Sequence, residues 1–199
     1  IANGTTVPCD GLGEIAVAVP VVTDISALEG KFKAKATITI SGSNLDLATG
    51  VRIKWEETVK EVEYSKVDAS ALTFIMPDDA LDGSVYVIAR SGAEIHAGNY
   101  TLTVPIVAAE NYYNPSVVEA GDNLVITGTD LDLVKTVTFV GSSTPVEPSA
   151  KDETSLTVRV PDDGKTGALT LTLLNGTTVT CPELTFAQPS VTSMTGTRD

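Results

Sequence analysis

The sequence predicts an all-β chain folded as successive β-sandwiches, on three observations. First, apolar and polar residues alternate through most of the chain. Examples are Thr37-Ile38-Thr39-Ile40, Tyr100-Thr101-Leu102-Thr103-Val104, Leu156-Thr157-Val158-Arg159-Val160 and Leu169-Thr170-Leu171-Thr172-Leu173. One apolar face and one Thr-rich face make a half-buried strand, and Val, Ile and Thr suit it because a branched Cβ packs well on a pleated surface. Second, helical spacing is missing; the best candidate, Val59 to Val67, alternates about as well as it spirals. Third, motifs recur. Met76-Pro77-Asp78-Asp79 returns as Val160-Pro161-Asp162-Asp163, and Ser91-Gly92 as Asn175-Gly176, each 84 residues later. Gly42-Ser43-Asn44-Leu45-Asp46-Leu47 returns as Gly128-Thr129-Asp130-Leu131-Asp132-Leu133 at 86, which assigns a two-residue surplus to the stretch near Ala48-Thr49-Gly50.

Val19-Pro20, Val104-Pro105 and Gln188-Pro189 punctuate this period. Residues 1–20 read as the terminal hairpin of a preceding repeat, because Asn3-Gly4-Thr5-Thr6-Val7-Pro8-Cys9 mirrors Asn175-Gly176-Thr177-Thr178-Val179-Thr180-Cys181. Residues 21–104 and 105–188 are two whole repeats, each with room for roughly seven short strands. Residues 189–199 read as the start of a following repeat or a linker, Pro189-Ser190-Val191-Thr192 echoing Pro20-Val21-Val22-Thr23. Asn175-Gly176 between alternating segments signals a tight hairpin in which both residues tolerate positive φ. Pro at each junction, with almost no linker, predicts a stiff rod.

Composition narrows the function. Apolar residues make up 42% and the net charge is -13, with 26 acidic against 13 basic residues. Nucleic-acid and anionic-membrane binders cluster Lys and Arg to neutralise phosphates, so both partners are disfavoured. No apolar run is long enough to span a membrane as a helix. The chain starts at Ile1 without a signal peptide, and is expected to be a processed product or a piece of a longer protein.

The pattern resembles the IPT/TIG domain, an immunoglobulin-like fold shared by plexins, some transcription factors and many bacterial surface proteins. The second repeat carries the resemblance in Pro115, Gly121, Ile126-Thr127-Gly128-Thr129-Asp130-Leu131, Val137-Thr138-Phe139, Val160-Pro161 and Asn175-Gly176. The first carries it in Gly30, Ile40-Ser41-Gly42-Ser43-Asn44-Leu45, Ile53-Lys54-Trp55, Met76-Pro77 and Ser91-Gly92, and lacks the Pro at the site of Pro115. Such repeats with Pro junctions also resemble the spacers of surface glycan-binding lipoproteins of bacteria. The resemblance implies non-catalytic, extracellular spacer domains, held at an outer membrane through a part of the protein outside this chain. It implies a polysaccharide or another surface protein as partner, and no cofactor. An adhesin or receptor segment that binds protein, and accessory domains of a polysaccharide-degrading enzyme, stand as alternatives. An IPT/TIG DNA-binding domain is disfavoured by the charge.

The side chains that carry chemistry are few. His96 is the one histidine and aligns with Thr180, an ordinary strand position, so no nucleophile–histidine arrangement is expected. Cys9 and Cys181 occupy equivalent positions two repeats apart, too far for a disulfide, and read as small buried side chains in a slot that Ala97 fills in the middle repeat. Two cysteines and one histidine do not make a zinc cluster. Asp78, Asp79 and Asp82, Asp162 and Asp163, and Asp130 with Asp132 read as turn residues rather than calcium ligands. Glu56 and Glu57, as neighbours on a strand, would point to opposite faces and could not flank a sugar bond. The candidate ligand-binding residues are aromatic. Trp55 aligns with Phe139 and is expected in the core, with a sugar platform as the alternative. Tyr112 and Tyr113 lie in a loop after Pro105, where one is expected to pack a domain boundary and the other reading is a shallow ligand platform.

Overall fold

The computed structural model describes residues 8–9, 13–14, 18–26 and 31–188, and the chain divides into two compact units, Ile1–Thr103 and Val104–Asp199. The expected Asn3-Gly4 turn, Gly30 and the tail 189–199 lie outside the described residues. Near the start, β1 (Pro8–Cys9) and β2 (Gly13–Glu14) form a small antiparallel pair.

The first unit continues with β3 (Val21–Ser26), β4 (Lys31–Phe32), β5 (Thr37–Ser43), β6 (Ala48–Trp55), β7 (Thr58–Val62), β8 (Tyr64–Lys66), β9 (Ala71–Ile75), β10 (Gly83–Ala89) and β11 (Glu94–Leu102). One sheet runs β3-β5-β9-β8 and the other β4-β11-β10-β6-β7. The second unit holds β12 (Ile106–Val107), β13 (Tyr113–Asn114), β14 (Val117–Val118), β15 (Asn123–Thr129), β16 (Val134–Thr138), β17 (Ala150–Lys151), β18 (Ser155–Arg159), β19 (Gly167–Leu173) and β20 (Thr178–Phe186). Its sheets run β12-β15-β18-β17, with β13 also on β15, and β14-β20-β19-β16. Each unit is an immunoglobulin-like sandwich. The stretch from Val59 to Val67, ambiguous in sequence, forms two strands, β7 and β8, that break at Glu63.

Residues 21–104 and 105–188 hold nine described strands each, where about seven were expected. The opening strand is broken because it serves both sheets. In the first unit β3 pairs antiparallel with β5 and β4 then pairs parallel with β11; in the second, β12 and β13 lie on β15 and β14 lies parallel to β20. Alternation then builds the cores. Ile38, Ile40, Leu72 and Phe74 are buried with Val51, Ile53, Val85 and Val87 in the first unit. Leu124, Ile126, Leu156 and Val158 are buried with Val134, Val137, Leu169 and Leu171 in the second.

The recurring Gly-x-x-Leu motif has a physical origin. A Cβ on Gly42 would collide with the carbonyl oxygen of Val21, and one on Gly128 with that of Ile106, so only glycine lets the opening strand lie this close. Two residues on, Asn44 and Asp130 both take φ 55, a left-handed conformation that Asn and Asp tolerate. The chain thereby turns into a short 3-10 segment, Leu45–Leu47 or Leu131–Leu133, whose first leucine is fully buried. The Leu45 N–H donates to the Ala69 carbonyl at 2.9 Å and the Leu131 N–H to that of Glu153 at 3.1 Å.

Strand register corrects two sequence expectations. Val51 opposes Val87 and Val137 opposes Leu171. Leu171 follows Val87 by 84 residues, yet Val137 follows Val51 by 86. The surplus of the first unit therefore lies after Trp55, and not at Ala48-Thr49-Gly50. Pairing of Leu72 with Ile40 and of Leu156 with Ile126 places it before β9. Ile53, not Trp55, is the counterpart of Phe139. The hairpin at Asn175-Gly176 is the second correction. Its loop has three residues, 174–176, closed by Leu173 and Thr177, and only Gly176 takes positive φ, at 84°. The loop 90–92 in the first unit is the same, with Gly92 at 82°. A turn followed by a left-handed glycine is the common three-residue hairpin. Asn175 contributes through its carboxamide oxygen, which accepts from the Thr177 N–H at 3.1 Å and the Thr177 hydroxyl at 2.7 Å.

Gly128→Ala is expected to destabilise the second unit by about 1–3 kcal/mol, the usual cost of overpacking a tight site. Gly176→Ala meets no atom within 4 Å and bears only the left-handed backbone, about 1–2 kcal/mol. Urea unfolding of both variants checks this, and a Gly128→Ala variant as stable as the parent would contradict it.

Candidate functional site

The aromatic candidates come first. Trp55, the last residue of β6, is 8% exposed and belongs to the core of the first unit. Tyr113 opposes Ile126 as Ile25 opposes Ile40, so it fills the slot of Ile25 in the second unit. It is 6% exposed, and its hydroxyl donates to the Pro182 carbonyl at 2.7 Å, which satisfies the one polar atom it takes inside. Tyr112 is half-buried and sets its ring edge-on to Tyr113, with centroids 4.7 Å apart and an 80° interplanar angle. Tyr113 thus packs in the core of its own sandwich, with Tyr112 against that core. Trp55 lies in the other unit. All ten aromatic residues are described, and none is exposed.

The most elaborate surface is the outer face of β11-β10-β6-β7. The Arg52 Nε donates to Glu61 Oε1 at 3.0 Å and its Nη1 to Glu94 Oε1 at 3.1 Å. Lys54 pairs with the other Glu94 oxygen, and its Nζ sits 4.5 Å from the centroid of the Tyr86 ring. Tyr86 meets His96 edge-on at 5.3 Å. His96 Nε2 is hydrogen-bonded to Asn99 Oδ1 at 3.1 Å, and the same oxygen accepts from the Ser84 hydroxyl at 2.8 Å. Lys54 and then Arg52 hold the Glu94 carboxyl below its ordinary pKa, while Glu61 and then Glu94 raise that of Arg52. The signal was present in sequence, since Arg52 and Lys54 are the polar members of Val51-Arg52-Ile53-Lys54-Trp55. Which acids they meet depends on the pairing of β6 with β7 and β10.

The carboxylates do not converge. Asp82 accepts the Leu102 N–H at 2.8 Å, Asp79 binds Lys60 at 2.6 Å, and Asp78 lies 3.9 Å from Lys35. No group of three or more metal-binding side chains occurs among the described residues. Asp68 and Asp152, which sequence reasoning passed over, make the same turn 84 residues apart. Each accepts from the backbone N–H and hydroxyl two residues on, Ser70 or Thr154, and each is held below the ordinary carboxylate range by those bonds. Glu56 and Glu57 are not strand neighbours, as the sequence suggested. Trp55 pairs with Thr58, so the two glutamates form the loop, with Glu56 at φ 48 and both exposed. Cys181 is a free, buried thiol among the core residues around Tyr113. The Cys9 side chain lies outside the described residues. No helix among the described residues is long and apolar enough to cross a membrane.

The IPT/TIG domain family model matches residues 20–104, the part of the chain that holds the first sandwich. No curated protein matches the chain. Similar solved structures include a protein crystallised with a xylogluco-oligosaccharide, at 19% identity and TM-score 0.44, over 86% of this chain and 41% of that one. Another is the surface glycan-binding protein PbSGBP-B from Prevotella bryantii, at 17% identity and TM-score 0.40, over 85% and 43%. A third is SGBP-B of the mixed-linkage glucan utilization locus of Bacteroides ovatus, in complex with a mixed-linkage heptasaccharide, at 19% identity and TM-score 0.35, over 84% and 45%. The chain therefore spans less than half the length of each of these structures.

Burial pushes the Cys181 thiol from 9.0 up to about 11. Because the folded state holds this proton more tightly, the stabilisation is complete below pH 9 and is lost as pH rises through about 11. Urea midpoints across that window, in a Cys9→Ala background, are expected to fall less steeply when Cys181 is also replaced by Ala. Identical slopes would contradict the assignment.

Proposed function

We propose that the two units are non-catalytic spacer and scaffold domains of a cell-surface glycan-binding protein that serves polysaccharide uptake. In this reading 21–104 and 105–188 are whole domains, 1–20 is the terminal hairpin of a preceding repeat, and 189–199 is the start of a following repeat or a linker. The protein sits outside the cell at a bacterial outer membrane, anchored through a part other than these units.

One observation carries the reading. Sugar rings are held by stacking on exposed aromatic faces flanked by polar groups, and here every aromatic side chain is buried or half-buried. Trp55 and Tyr113 fill cores, Tyr112 leans on Tyr113, and Tyr86 lies beneath Lys54. The outer face of β11-β10-β6-β7 carries paired charges, suited to solubility. The parent class rests on the resemblance of the repeats and on the IPT/TIG match. Glycan capture then belongs to another part of the parent protein.

Affinity gel electrophoresis against xyloglucan, mixed-linkage glucan and host polysaccharides tests this. The chain is expected to migrate unretarded in every gel. Retardation that Tyr112→Ala abolishes, with unfolding otherwise unchanged, would make the second unit a binding module and overturn the spacer reading. Tyr112 is the useful probe because Tyr113→Ala would open the core.

A further inference from the structure

β7 ends its sheet, and its outer edge is a five-residue strand with no described pairing partner. A two-residue loop makes Trp55 and Thr58 a hydrogen-bonded pair. Alternation then directs the backbone of Lys60 and Val62 towards β6, and turns the N–H and C=O of Val59 and Glu61 outward, in register for one more strand. The other edges of the first unit are shorter or broken. β4 has two residues and β8 three, and β3 bulges between Val22 and Asp24. In the second unit the counterpart of β7 shrinks to a single bridge, Val137 to Val146, with Pro145 and Pro148 on either side. Proline there removes donors and blocks pairing. β7 has neither proline nor bulge.

A groove of about 510 Å³ borders the second half of β7, and its walls include Val62, Tyr64, Phe74, Ile75 and Pro77. Ile75 is 61% exposed. The charge around it is one-sided. Residues 56–63 hold four glutamates and one lysine. That lysine, Lys60, is bound by Asp79, and Arg52 is taken by Glu61 and Glu94. A second copy would set glutamate against glutamate across the new pair, which is destabilising, and would bring together two chains of net charge -13.

We propose that β7 receives an extended, Lys- or Arg-bearing segment of a partner protein, which adds to the sheet as a sixth strand and lays alternate apolar side chains over the groove. This goes beyond the spacer reading and does not depend on it.

Hydrogen exchange of the full chain, read residue by residue by NMR, tests the proposal with a ten-residue peptide alternating Lys and Val. The Lys peptide is expected to slow exchange at the Val59 and Glu61 amides by about tenfold or more, while a peptide with Glu in place of Lys does not. Val59→Pro removes an outward N–H that β6 does not use, and is expected to abolish the protection. Glu57→Lys with Glu63→Lys leaves the backbone alone and is expected to weaken the Lys peptide about tenfold, which keeps the test decisive where proline disturbs the edge. Protection elsewhere, equal protection by both peptides, or protection that grows with protein concentration without peptide would overturn the proposal, the last in favour of a second copy.

Discussion

The opening strand of each unit must serve two sheets, and the crossing depends on a backbone contact that only glycine permits. The carbonyl oxygens of Val21 and Ile106 occupy the space where Gly42 and Gly128 would carry a Cβ. This contact holds the opening strand to β5 or β15 and lets the following segment reach β11 or β20. Beneath it, Asn44 and Asp130 turn the chain, so that Leu45 and Leu131 drop into the core between the sheets. A Cβ at either glycine would force the opening strand away from β5 or β15. The Gly-x-x-Leu signature is thus one mechanical unit of contact, turn and plug.

That architecture limits what the surface can offer. A domain of about this size buries a modest core and has few large side chains to spare. This chain has ten aromatic residues across both units. The deepest fill the cores, and the half-buried remainder lean on other side chains, as Tyr112 does on Tyr113 and Tyr86 does under Lys54. The two units differ at the β7 edge, where the first has a five-residue strand and the second a single bridge, Val137 to Val146.

Much of this was legible in the sequence, for a physical reason. Period-two alternation and the recurrence of Met76-Pro77 as Val160-Pro161 report local constraints, namely which face is buried and where the chain turns. The errors came from non-local ones. A two-residue shift along a strand leaves every side chain on its original face, so alternation does not distinguish Ile53 from Trp55 as the partner of Phe139; only pairing with β10 and β19 does. Likewise Tyr113 looked like a loop residue because its neighbours Glu110 and Asn111 are polar. The two-residue strand β13 exists because Ile126 needs a partner across from it, as Ile40 has in Ile25. The acids that meet Arg52 and Lys54 were hidden in the same way.

Trp55 is the only tryptophan of the chain, which makes it a clean reporter of whether the aromatic side chains belong to the cores. Acrylamide quenching of its fluorescence, in the native chain, in urea and with added polysaccharide, is the most direct measurement. The account predicts blue-shifted native emission, quenching far weaker than in the unfolded chain, and no change when polysaccharide is added. Native quenching close to that of the unfolded chain, or shielding by a polysaccharide, would contradict it.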